Sequence, residues 1–232
     1  MQLQAIILAG GLGTRLRPTV PDLPKAMAPI AGRPFLEILL DLLAQKGFGR
    51  IILSVGYLSE KIIDYFGDCF EDMELVYSVE QNPLGTGGAT RQALTHCDVD
   101  HAFVFNGDTY LDLEAELVEA HWLQYRKPII VARELTDTTR FGRIEMQGGR
   151  VNRFLGKGIP GPGLIDAGCY LLPVNLLEKF QLGQTFSLEM DFLVDALQND
   201  EFDCFVTRGN FIDIGIPEDY RRAQQELIMG VK

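Results

Sequence analysis

Short apolar runs rich in β-branched residues alternate with segments of helical periodicity from the start of the chain, and this alternation restricts the fold more than any other feature. Residues 4–9 (QAIILA) form a continuous apolar run that meets glycines at once, the pattern of a strand buried on both faces. Residues 34–46 (PFLEILLDLLAQK) put Pro34 at a permitted helix start, carry apolar positions at a helical period and stop at Gly47. Residues 51–55 repeat the strand pattern, 59–66 (SEKIIDYF) the helical one, and 75–79, 88–94 and 102–106 continue the series. A βαβα order of this kind predicts a mostly parallel sheet with helices on both faces.

Past Asp108 the regularity loosens. A helix over about 113–125 and a strand over 129–134 are followed by a predicted hairpin, 143–146 with 150–155, around Gly148 and Gly149. A strand over 164–172, a helix over 188–197, a strand over 202–207 and a closing helix over 217–228 complete the reading. The loop 156–163 (GKGIPGPG) is too short for an interdomain linker, so residues 1–232 are expected to form one domain.

Charge removes several classes of function. With 21 Lys plus Arg against 32 Asp plus Glu the formal net charge is −11, unsuited to a nucleic-acid or membrane-surface partner. The first 50 residues run against this balance, with six Lys or Arg and three Asp or Glu. Cys69, Cys97, Cys169 and Cys204 lack metal-ligand spacing and read as reduced core thiols; with neither a secretory signal nor an apolar run of membrane-spanning length, a cytoplasmic location is expected. His96, His101 and His121 lie outside every motif and read as surface or packing residues, and Trp122 with Tyr125 reads as the core face of a helix.

The first strand leads into Gly10-Gly11-Leu12-Gly13-Thr14-Arg15-Leu16-Arg17-Pro18, where backbone amides can approach an anion closely. The loop is neither a Walker loop, which needs Gly-Lys-Ser/Thr, nor a dinucleotide fingerprint, whose third glycine is replaced by Leu16. It supplies Arg15 instead, with Lys25 ten residues later, and two cations beside a glycine loop suit a triphosphate that releases pyrophosphate. Two further apolar runs end in carboxylates, Asp108 after residues 103–107 (FVFNG) and Asp213 after Phe211-Ile212. Brought together, they suit Mg²⁺ on a nucleotide; taken singly, either reads as a cap or turn residue. A second glycine-rich turn, residues 80–89 (EQNPLGTGGA), opens a helix.

Leu8 to Pro18 (LAGGLGTRLRP) with Pro24-Lys25 resembles the signature of the sugar-1-phosphate nucleotidyltransferases, which join a nucleoside triphosphate to a sugar phosphate and release pyrophosphate. The resemblance implies a Rossmann-like three-layer α/β fold of the GT-A-like kind, with a mixed, mostly parallel sheet. It implies that Leu8, Gly10, Gly11, Gly13, Thr14 and Gly107 bind the nucleotide, that Arg15 and Lys25 act on its phosphates, and that Gln81, Gly85 and Thr86 meet base and ribose. Asp108 and Asp213 match the family's metal ligands, with Mg²⁺ as cofactor.

On the acceptor side Gly142, Asp166, Gly168 and Glu189 match segments that contact the sugar, and Lys157, on a loop able to close, matches the lysine that holds its phosphate. Two departures stand out. Gly156 replaces the glutamate usual before that lysine, and Asp166 replaces an asparagine, which keeps an acceptor and loses an amide donor. Glu189 reads equally as part of a capping box with Ser187 or Thr185.

Within the family, residues 23–30 (LPKAMAPI), 83–89 (PLGTGGA), 186–193 and 211–220 (FIDIGIPEDY) look like the D-glycero-α-D-manno-heptose 1-phosphate guanylyltransferases. The implied substrates are GTP and a heptose 1-phosphate, and the implied product is GDP-heptose for bacterial capsule, lipopolysaccharide or surface-layer glycans. A uridylyl- or thymidylyltransferase of a hexose or muramic-type phosphate, and a non-catalytic nucleotide-sugar sensor, are the alternatives. The motifs leave a homo-oligomer open.

Overall fold

In the computed structural model, which describes residues 2–16, 18–199 and 202–230, the strand and helix alternation takes physical form as one large twisted sheet. Arg17 of the N-terminal loop lies outside the described residues. The first half of the chain contributes β1 (Leu3–Leu8), a two-stranded ribbon β2 (Pro29–Ile30) and β3 (Arg33–Pro34), helix α1 (Phe35–Gln45), β4 (Phe48–Val55), α2 (Ser59–Phe66), β5 (Cys69–Phe70), β6 (Met73–Val79), α3 (Gly85–Leu94), β7 (His101–Asn106) and β8 (Thr109–Leu111). The second half contributes α4 (Ala115–Tyr125), β9 (Ile129–Leu135), β10 (Arg143–Gln147), β11 (Arg150–Leu155), β12 (Gly163–Pro173), α5 (Val194–Asn199), β13 (Asp203–Thr207), β14 (Phe211–Asp213) and α6 (Pro217–Gly230).

The sheet order is β10-β11-β13-β9-β12-β7-β1-β4-β6-β5. Parallel pairing is confined to β7-β1-β4-β6 and to β13 with β9, while β12 runs antiparallel to both β7 and β9. The sheet is therefore mixed rather than mostly parallel. The reason is β12, whose long apolar run is shielded on both faces like a parallel strand although its neighbours run the other way. The predicted hairpin is present as β10 and β11, and both turn glycines take positive φ, 59° at Gly148 and 80° at Gly149.

Period-2 alternation sends successive residues of each central strand to opposite faces. Ala5, Ile7, Phe103 and Phe105 pack with Leu36, Leu40 and Trp122 on one side. Ile6 and Val104 pack on the other with Ala93 of α3, Tyr170 and Phe192. Burying each such Leu, Ile or Phe stabilises the fold by about 1.5–3 kcal/mol. A third cluster joins Leu16, Phe35, Ile212 and Tyr220, so α1 is buried on two sides and α6 is held against it.

Three local readings change. The helix predicted over 188–197 begins as a π-helix, Leu188–Leu193, before α5. Of the four free cysteines only Cys169 is fully buried; Cys97 and Cys204 are partly buried and Cys69 is exposed. Trp122 is buried at 3% exposure whereas Tyr125 is 50% exposed and packs its ring on His121, because the two residues, three apart, straddle the edge of the buried stripe of α4.

His101, at the start of β7 and remote from the strand ends that carry the glycine loop, is buried between two carboxylates. Its Nε2 lies 2.8 Å from Glu119 Oε2, its Nδ1 meets Asp100, and its ring packs 5.0 Å from Trp122. Burial opposes charging of the ring, but the hydrogen bonds to Glu119 and Asp100 outweigh it and raise its pKa. This contribution to stability is complete below the unfolded histidine value of about 6.5 and is lost as pH rises through the raised folded value. His101→Gln is expected to cost about 1 kcal/mol at pH 6, allowing for the exposure of Asp100, and less at pH 9. Urea unfolding at the two pH values checks this, and an equal cost at both would count against the charged ring.

Candidate active site

The chain runs from β1 outward to β4 and β6, then returns to the opposite side of β1 to form β7. Strand order reverses at the β1–β7 boundary, and in open α/β sheets ligands bind beyond the carboxyl ends of the strands at such a point. A cavity of about 500 Å³ opens there, lined by the glycine loop, Lys25, Glu80, Thr86, Asn106 and Asp108 among others. Its edge is squared off by backbone hydrogen bonds, Ala9 N to Ser54 O at 2.8 Å, Gly107 N to Leu8 O at 3.1 Å and Glu80 N to Val55 O at 2.8 Å.

Glycine is required where backbones crowd. A Cβ on Gly107 would lie 2.7 Å from Leu8 O, so a side chain there would part β1 from β7. Gly13 takes φ +58°, and a Cβ on it would sit 3.0 Å from Lys25 Cβ, so the loop folds directly onto the lysine. Leu16, 1% exposed in the third cluster, anchors the far end of the loop, and Leu16 N donates to Gly13 O at 3.0 Å. Leu8, Gly10, Gly11, Gly13, Thr14, Arg15, Gly85, Thr86 and Gly107 all line the cavity, with Thr14 and Arg15 exposed.

Lys25 stands on a 3-10 turn, Lys25–Met27, and its Nζ pairs with Asp108 Oδ2. Asp213 reaches the same point because β14 pairs antiparallel with β8, setting Asp213 opposite Thr109, while Ile214 N donates to Asp108 O at 2.9 Å. Burial raises the Asp213 pKa, the charge of Asp108 raises it further, and Lys25 and the Gly215 amide oppose both. Two oxygen-donor carboxylates facing one ammonium leave uncompensated negative charge, a donor set that fits a hard divalent cation completed by substrate phosphates. No group of three or more His, Cys, Asp or Glu suited to a metal ion exists among the described residues, so such an ion would rest on this pair.

The turn after β6 differs from expectation. Gln81 is exposed and outside the cavity lining, while Glu80 faces the cavity. Glu80 Oε2 accepts from Leu84 N at 2.9 Å and Oε1 from Ser54 Oγ at 3.3 Å; burial raises its pKa against these two bonds. The amides of Gly87 and Gly88 at the start of α3 both donate to Phe186 O, at 3.0 and 3.3 Å, so they anchor that helix rather than form a second anion nest.

The residues expected on the acceptor side, Gly142, Asp166, Gly168 and Glu189, form a connected group beside the cavity. Asp166 N donates to Gly142 O at 3.2 Å, and Gly168 N donates to Asp166 Oδ1 at 2.9 Å. A Cβ on Gly168, at φ +66°, would lie 2.6 Å from Asn106 Nδ2, so this glycine lets the β12 irregularity close on the cavity wall. Thr86 Oγ1 donates to Glu189 Oε2 at 2.7 Å, which ties the group to the cavity lining. Ser187 is the cap of the π-helix, accepting from Met190 N at 3.1 Å, but the reciprocal carboxylate is Asp191, which accepts from Ser187 N at 2.7 Å. Glu189 is thereby left to face inward. Lys157 is exposed on the turn after β11 and lies outside both groups; its neighbour Gly158 donates to Thr139 O at 2.9 Å.

Glu80, Asn106 and Gly215 line the cavity without having been singled out. Asn106 carried a usable signal, as the last residue of an apolar run before Gly-Asp.

Residues 4–229 match the Nucleotidyl transferase family. The chain is 38% identical over 226 residues, 97% of its own length and 98% of the relative's, to D-glycero-α-D-manno-heptose 1-phosphate guanylyltransferase of Aneurinibacillus thermoaerophilus. Among solved structures it is similar to HddC from Yersinia pseudotuberculosis complexed with GMP-PN, at 38% identity and a TM-score of 0.88 over 98% of this chain and 100% of that one. A glucose-1-phosphate thymidylyltransferase from Bacillus anthracis, described as putative, shares the fold at a TM-score of 0.84 and 20% identity, covering 99% of this chain and 96% of that one. The match over residues 4–229, with a relative 38% identical over nearly the full length of both chains, shows that the chain belongs to the nucleotidyl transferase family.

Proposed function

We propose that this protein is a sugar-1-phosphate guanylyltransferase that joins GTP to D-glycero-α-D-manno-heptose 1-phosphate and releases pyrophosphate, supplying GDP-heptose for a bacterial surface polysaccharide. The observation that carries the reading is the meeting of the glycine loop, Lys25, Asp108 and Asp213 at the strand-order reversal. The near-full-length relatedness to heptose 1-phosphate guanylyltransferases supports the choice of substrates.

The chemistry is in-line attack of a sugar phosphate oxygen on the α-phosphorus, with the bond to the β-phosphate oxygen breaking. The attacking oxygen is already anionic, so no general base is needed, and catalysis is positioning and charge neutralisation. The amides of Gly11 and Gly13 hold phosphate oxygens, and Arg15 and Lys25 take up charge on the departing pyrophosphate. Lys157 pairs with the acceptor phosphate when its turn closes, and Gly142 and Gly168 give the sugar room against the backbone. Asp108 and Asp213 would hold Mg²⁺, which when bound neutralises phosphate charge.

Glu80 accounts for the base. Its carboxylate has acceptor capacity beyond the two bonds it already receives, and guanine presents adjacent N1–H and N2–H donors, which neither uracil nor thymine does. Gly85 and Thr86 flank it on the ribose side.

Pyrophosphate release with each common nucleoside triphosphate crossed with heptose, mannose and glucose 1-phosphates, with and without Mg²⁺, tests the assignment. Turnover is expected with GTP and the heptose phosphate when Mg²⁺ is present. Turnover with UTP or dTTP but not GTP would sink the guanylyl reading, and none with any pair would favour a sensor. Lys25→Ala is expected to lower kcat by about 10²–10³ with the fold intact by circular dichroism. Glu80→Gln should raise KM for GTP by roughly tenfold or more through loss of charged hydrogen bonds, and leave KM for the sugar phosphate in place.

A further inference from the structure

Asp166 departs from the asparagine of the related motif, and its surroundings explain how a carboxyl can stand there. Its Oδ1 accepts from Gly168 N at 2.9 Å, and its Oδ2 lies 2.6 Å from the hydroxyl of Tyr170. The same hydroxyl lies 3.4 Å from Glu189 Oε1, and Glu189 Oε2 accepts from Thr86 Oγ1 at 2.7 Å and from Ser187 Oγ at 2.9 Å. Two carboxyls thus converge on one phenol that has a single hydrogen to give. All the bonds that hold them come from neutral groups.

We propose that Asp166 works as a neutral acid, a positioning residue that donates its proton to Tyr170 Oη so that Tyr170 in turn donates to Glu189, leaving Glu189 as the one anionic acceptor for the sugar hydroxyls. This rests on the guanylyltransferase reading of the site. In that state each oxygen in the chain Asp166–Tyr170–Glu189 has a hydrogen to give or receive. With Asp166 ionised, one carboxylate would lose its share of the phenol. Two like charges would also stand in a pocket that must admit a dianionic sugar phosphate.

The groups facing Asp166 support the neutral form. From its own strand come Tyr170 and the buried Cys169 thiol, from β13 Cys204, from the π-helix Glu189, and from β9 its register partner is Ala132, which carries no charge. Burial pushes the Cys204 thiol up to about 12 and the Cys169 thiol well above its usual range, so neither supplies a countercharge. The Asp166 carboxyl is pushed up to about 7, by burial first and by Glu189 in addition, against the bonds from Tyr170 and Gly168. The residue keeps a partly exposed face while protein surrounds its carboxyl. Protonated, it regains the donor that replacement of the asparagine removed.

The test compares the wild type with Asp166→Asn, whose amide can donate to Tyr170 and accept from Gly168 at every pH. Between pH 6 and pH 8.5 the wild-type KM for the heptose 1-phosphate should rise about tenfold relative to the variant, with KM for GTP unaffected by the substitution. Using one substrate for both enzymes cancels the titration of the sugar phosphate itself. Parallel profiles for the two enzymes would overturn the proposal while leaving the guanylyltransferase reading untouched. A readout that needs no turnover is the infrared carbonyl band of a protonated carboxyl. It should appear at pH 6 in the wild-type-minus-variant difference spectrum and fade by pH 8.5, and its absence at pH 6 would overturn the proposal even if no sugar phosphate is turned over.

Discussion

The hydrogen-bond ladders on either side of β1 hold the molecule's chemistry in place. β4 lies on one flank and β7 on the other, both parallel to β1, so the ends of these strands are brought to one level. Because the chain leaves in one direction and returns in the other, the loops beyond those ends diverge and open a crevice. The glycine loop enters it from β1, Glu80 from the end of β6, and Asn106 with Asp108 from β7. No single side chain builds this site; the register of the ladders does.

The second half of the chain adds to that frame instead of repeating it. β12 inserts antiparallel beside β7 and sets Gly168 against Asn106 in the wall of the crevice, with Asp166 bonded to Gly168 next to it, while the short β14 returns to pair with β8 and delivers Asp213 to Asp108. The parallel half thus carries the glycine loop and the cavity, and the second half brings Gly168 and Glu189 up against its lining. Thr86 and Asn106 stand at the seam, one bonded to Glu189 and the other packed against Gly168.

What could be read in the sequence followed from where chemistry meets a strong pattern. Asp108 and Asp213 end apolar runs beside glycine and Arg15 follows the glycine loop of β1, so their neighbourhood announces a strand end, whereas Lys25 stands on a 3-10 turn and was legible through its spacing from that loop. Gln81 and Glu80 show the limit of such reading: beyond the last paired residue of a strand the pleat no longer says which way a side chain faces, and adjacent residues face opposite ways. The orientation of β12 was hidden because burial on both faces looks the same in either direction. The π-helix was hidden because its six residues span little more than one turn, too few for a longer period to show in the apolar spacing, yet it is accompanied by Asp191 serving the cap while Glu189 turns inward.

Lys25 and Asp108 are partners within the chain itself. Were the ammonium unpaired, the crevice would attract anions at large; were the carboxylate unpaired, it would repel them. Held together, they answer one another and leave the carboxyl of Asp213 as the excess acidic group at the centre of the site. A triphosphate entering with a cation, as the proposed reaction requires, would be met by an exchange of partners, the lysine passing to phosphate and the carboxylates to the cation.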